Sequence, residues 1–86
     1  MDLTHEIFEG TPEERWLEIL FHANRTLAQN ELLFLLERLS LLEHSLDSLD
    51  PSWEERLKAQ ENLSEVKKKM GSLAIESMGR ILSQNE

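Results

Sequence analysis

Eighty-six residues are enough for one domain, and a chain this short rarely buries a self-sufficient core. It has no cysteine, which removes disulfides and thiolate metal sites, and its net charge of −8 opposes a phosphate backbone or an anionic lipid surface. Regular helix packing and association with a second chain are the remaining routes to stability. Leu, Glu, Lys, Arg, Gln and Ala dominate, tyrosine is absent and β-branched residues are few, so the composition favours an all-α fold.

Residues 1–10 read as a short helical turn or loose arm. Leu3, Ile7 and Phe8 share one side at helical spacing, and Gly10 is a natural stop. The start, Met1 to Glu6, is acidic and lacks the basic end and apolar stretch of a secretory signal. No apolar run is long enough to span a bilayer, and a cytoplasmic location is expected.

Thr11-Pro12-Glu13-Glu14 is the clearest helix start. Thr11 caps, Pro12 suits the first position, and Glu14 completes a capping box. A helix is expected over 12–49, with a break near 25–30, where Asn24 to Glu31 is polar. Trp16, Leu17, Leu20, Phe21, Ala23, Leu27 and Ala28 form its first apolar face. Beyond them Leu32, Leu35, Leu39, Leu42, Leu46 and Leu49 recur at the alternating three- and four-residue spacing of a coiled-coil seam. At about 100° per residue these six fall in one sector roughly 100° wide, while Phe34 and Leu41 lie nearly opposite.

Asp50-Pro51 is the firm turn: proline pushes Asp50 out of helical geometry, and Asp50 is then placed to cap the next helix. That last helix is expected over 51–83, with Trp53, Leu57, Leu63, Val66, Met70, Leu73, Ala74, Met78 and Ile81 inward. Gly71-Ser72 inside it could bend it or admit another backbone. The expected architecture is one domain over 1–86, a small bundle built on a long antiparallel helical hairpin with a leucine seam and an additional N-terminal helix.

Chemistry-bearing patterns are weak. His5-Glu6-Ile7-Phe8-Glu9 opens like a zinc-protease motif, but Glu9 stands where the second histidine belongs. His22 and His44 lack the carboxylate spacing of a bundle di-metal site, and no serine has a glycine elbow or a paired base. Lys67-Lys68-Lys69 points three ways on a helix and makes no dense patch. No metal, cofactor or catalytic residue is expected, and the chain reads as a non-enzyme with no nucleic-acid partner.

A helix apolar on two sides is either surrounded or bound to something. The expected function is a helical protein-interaction module, an adaptor, chaperone or inhibitor, that binds a partner helix or itself. The expected interface is Leu32, Leu33, Phe34, Leu35, Leu39, Leu41, Leu42 and Leu46, with a homodimer as one outcome. The alternative takes the acidic surface of Glu13, Glu14, Glu18, Glu31 and Glu37 as a nucleic-acid mimic that fills a basic groove. In size, acidity and hairpin layout the chain resembles small secretion-type chaperones and phage- or plasmid-borne regulators, a likeness of class that transfers no residues.

Overall fold

The computed structural model describes residues 10–84, and among them the chain is all-helical. Four helices follow in order: α1 (Pro12–His22), α2 (Arg25–Leu49), α3 (Trp53–Ala59) and α4 (Ser64–Gln84). The expected arm over 1–10 lies outside the described residues apart from Gly10.

Helix α1 begins as its sequence dictates. The Glu14 N–H donates to Thr11 Oγ1 at 3.2 Å, Pro12 opens the helix, and Glu13 and Glu14 sit in the first turn against the positive end of the helix dipole. Helix α1 stops when Ala23 turns extended, its N–H reaching back to the Ile19 carbonyl. Asn24 then caps α2, its side chain accepting from the Leu27 N–H at 2.9 Å. The break expected near 25–30 therefore falls at Ala23-Asn24, because asparagine supplies both a terminator and a new cap within one residue.

Helix α2 ends at Leu49, where Pro51 was expected to force it to. The turn is fastened by side chains: Asp50 accepts from the Ser52 N–H at 3.2 Å and pairs with Arg56 at 2.7 Å, and the Trp53 indole N–H donates to Asp47 at 2.8 Å. Pro51 and Ser52 belong to the turn, and the new helix starts at Trp53.

The single helix expected over 51–83 is two. Helix α3 ends at Ala59, and Gln60–Leu63 form tight turns in which Gln60, Glu61 and Leu63 donate to carbonyls three residues back. Asn62 and Ser64 are weak helix formers at that point, and neither glycine nor proline announces the break. Helix α4 runs unbroken through Gly71-Ser72.

Packing is concentrated at one end. Helix α4 lies mainly on α1 and more narrowly on α2. The core there is Leu20, Leu27 and Ile81, with Trp16, Ile19, Ala23 and Ala28 packed around it, and Ala74 is buried as well. Gly71 is buried where α4 passes the start of α1: a Cβ placed on it would lie 3.5 Å from the Pro12 ring and from the Glu13 carboxylate. Close approach thus happens here, although the fit would admit a methyl group.

The other end is open. The radius of gyration is 15.5 Å, against about 12 Å for a compact domain of this length. Accessible surface is 7272 Å², roughly 2,000 Å² more than a compact chain of 10.0 kDa presents. The leucine seam was expected to zip two long helices of one chain together. It is not packed that way: Leu39 is 54% and Leu42 52% exposed, and Leu49 reaches 81%. Physically, α4 covers only the start of α2, and among the described residues no apolar layer covers Leu39, Leu42 or Leu49.

Candidate protein-interaction surface

The seam is continuous with the core. Leu27, Glu31 and Leu35 share a face of α2 by i, i+4 spacing, and that face runs on as Leu39, Leu42, Leu46 and Leu49. Its first part is covered; its second part is bare. Of the expected interface residues, Leu32, Leu33, Phe34, Leu39, Leu41 and Leu42 are exposed, whereas Leu35 and Leu46 are half-buried. Leu32 through Leu42 thus leave apolar side chains exposed on both sides of α2, so among the described residues the helix is not the centre of a three-helix bundle.

Other elements expose apolar side chains as well. Leu57 on α3, Leu63 before α4, and Val66, Met70 and Leu73 on the first half of α4 are all exposed, as are Leu17 and Phe21 on α1. Single exposed leucines are ordinary; this many on one short chain are not.

The acidic surface needs one correction. Glu14, Glu18 and Glu37 are exposed and Glu13 is half-buried, but Glu31 is only 1% exposed. It lies in the inward row between Leu27 and Leu35, where reading charge as exposure misplaced it. Its carboxylate is held by two side chains, with a third behind them. Ser77 Oγ donates to Oε2 at 2.5 Å; Arg80 donates from Nε to Oε1 at 3.1 Å and from Nη2 to Oε2 at 2.8 Å. The Trp16 indole N–H in turn donates to Ser77 Oγ at 2.7 Å. The hydrogen bond from Arg80 to Glu31 raises the guanidinium pKa above its ordinary value; burial opposes this, and the negative charges of Glu31 and Glu76 add to it. The Arg80 guanidinium carbon also sits 4.2 Å from the Phe34 ring centroid, a cation–π contact that occupies one face of that ring.

Little resembles reaction chemistry. Among the described residues no three His, Asp or Glu side chains converge as a metal site. A shallow cleft of about 330 Å³ at the α1–α2 elbow is lined by Ile19, His22, Ala23, Asn24, Leu27, Ile81 and Leu82. The polar groups there have other engagements: Asn24 caps α2, and His22 Nδ1 lies 2.8 Å from the Glu18 carbonyl oxygen. Among the described residues no helix is long and apolar enough to cross a membrane.

Residues 8–86 match the family described as a domain of unknown function, DUF2018. The chain belongs to that family. The match spans all four helices, so the bare stripe of α2 and the Glu31 cluster lie inside the DUF2018 domain rather than in an appendage to it. No curated protein and no solved structure matches the chain.

Proposed function

We infer that this DUF2018 chain is a non-enzymatic helical protein-interaction module, an adaptor, chaperone or inhibitor working in the cytoplasm. It binds a second copy of itself or an amphipathic helix of another protein through the leucine stripe of α2, pairing helices in the coiled-coil manner that the heptad spacing favours. The observation that carries this reading is the exposure of Leu32, Leu33, Leu39, Leu41, Leu42 and Leu49 on a helix that α4 contacts only narrowly. The surplus surface of roughly 2,000 Å² is on the scale that a stable protein interface removes. Monomeric proteins seldom leave this many large apolar side chains exposed along one helix.

The acidic-mimic reading draws less support. Its row of carboxylates loses Glu31 to the interior, and Arg38 interrupts the remainder on α2. Ionic strength separates the two. Association through leucines should persist or strengthen between low and high salt, whereas an electrostatic mimic should lose affinity steeply. Titration calorimetry or sedimentation at two salt concentrations reads this directly, and steep salt weakening would overturn the leucine reading.

A further inference from the structure

The Glu31 cluster stands where an apolar side chain would be the simpler choice. On α2 it interrupts the row Leu27, Leu35, Leu42; on α4, Ser77 interrupts the row Val66, Met70, Leu73, Ile81 at i, i+4 and i, i+3 spacings. Both are about as buried as side chains can be, each at 1% exposure. The hydroxyl of Ser77 both accepts from Trp16 and donates to Glu31, and no buried side-chain polar atom among the described residues lacks a partner. One relay therefore joins α1, α2 and α4: Trp16 to Ser77 to Glu31 to Arg80.

Stability does not require such a relay, because a buried ion pair is commonly no better than apolar residues of the same volume. Choice between packings does. Helix α4 carries exposed apolar residues both on the uncovered first half of that row, at Val66, Met70 and Leu73, and off it, at Ile75 and Leu82. A slip of one turn, about 5.4 Å, or a rotation about its axis would bury comparable apolar surface against α1 and α2. Steric fit at the small buried residues Gly71 and Ala74 disfavours some of these arrangements, but hydrophobic burial itself is non-directional and cannot tell them apart chemically. The relay can, because every slipped arrangement strands the Glu31 carboxylate in the interior without Ser77 and Arg80.

We propose that the Trp16–Ser77–Glu31–Arg80 relay is a register latch, which selects the one seating of α4 on α1 and α2 out of several that burial alone would allow. In doing so it also fixes which apolar residues of α4 remain outside. The selection of register stands whether or not the leucine stripe binds a partner.

The absence of native cysteine makes the latch testable by crosslinking. A Cβ at position 71 would lie 3.8 Å from Pro12 Cβ, which matches the Cβ separation of about 3.8 Å in a disulfide. Pro12→Cys with Gly71→Cys therefore reports the native register, and Pro12→Cys with Lys67→Cys or Ile75→Cys reports a slip of one turn either way. The readout is the rate of intrachain disulfide formation, separated from interchain product on a non-reducing gel. With the relay intact, the 12–71 pair should form at least about tenfold faster than either slipped pair, since the slipped geometry puts the sulfurs out of reach. In a background carrying Glu31→Met, Ser77→Ala and Arg80→Met, helicity should persist while that ratio collapses to about one to threefold. An unchanged ratio in a folded triple variant overturns the proposal. Should the triple variant unfold, the milder pair Glu31→Gln with Arg80→Gln, which removes charge and keeps volume, takes its place; the ratio should fall at least about threefold, and an unchanged ratio again overturns the latch.

Discussion

Leu39 and Leu42 sit at the middle of the heptad stripe, and truncating them separates two origins of stability. A leucine taken fully out of water contributes roughly 1.5–3 kcal/mol. In the isolated chain these two are 54% and 52% exposed, so each has realised about half of that. Within one chain, Leu39→Ala or Leu42→Ala should thus cost about 1 kcal/mol, well short of the roughly 2–5 kcal/mol of a core truncation with its cavity. Ile81, 2% exposed among Leu20 and Leu27, is the internal standard, and Ile81→Ala should cost that larger amount. The unrealised half appears only on association, at about 1 kcal/mol per leucine, or about 2 kcal/mol and roughly a thirtyfold change in affinity for the pair of substitutions. The assay is thermal unfolding by circular dichroism at several protein concentrations. Leu39→Ala and Leu42→Ala should reduce the melting temperature more at high concentration, where the wild type is associated, while Ile81→Ala destabilises at every concentration. A loss of 2–5 kcal/mol from Leu39→Ala that is independent of concentration would refute the reasoning, because a loss of about that size marks a leucine inside a single-chain core.

Three further substitutions test other parts of the account. Phe34→Ser with Leu41→Ser should leave a folded protein with weakened association, at a cost of about 1 kcal/mol that comes mainly from the Phe34 contact with Arg80; outright unfolding, read by circular dichroism, would put both side chains inside the core. Asp50→Ala should cost about 1 kcal/mol in a denaturant titration, since the carboxylate holds both the Ser52 N–H and Arg56 at the turn, and an unchanged midpoint would show that Pro51 alone makes the turn. Gly79→Ala should stabilise by about 0.4–1 kcal/mol, because a Cβ there meets nothing within 4 Å and the helix gains propensity; a lower melting temperature would mean that the exposed side of α4 at Gly79 is in close contact with another chain.

The legible part of this fold was whatever short-range chemistry determines. Thr11-Pro12 and Asp50-Pro51 mark their boundaries by sterics and capping, and both helix boundaries stand within a residue or two of where those residues put them. Gln60–Leu63 was not legible, because weak propensities at Asn62 and Ser64 decide it without a proline or glycine. The heptad period identified a face to be covered but was silent on its cover: a period belongs to one helix, whereas burial belongs to a pair. Glu31 shows a different blind spot. Its spacing from Leu27 and Leu35 put it on the inward row, yet its charge argued for water, and only Ser77 and Arg80, 46 and 49 residues later, resolve the conflict. A serine at the centre of the apolar row of α4 was the available signal, since a small hydroxyl there invites a buried partner.

Sedimentation equilibrium of the wild-type chain from about 1 to 100 µM tests the central claim most directly, because an apolar stripe of this extent should not remain in water at such concentrations. The account predicts a mass above that of one chain at the upper end, falling toward the single-chain value on dilution or in the Leu39→Ala and Leu42→Ala variants. A single-chain mass across the whole range, with unfolding that is cooperative and independent of concentration, would contradict it.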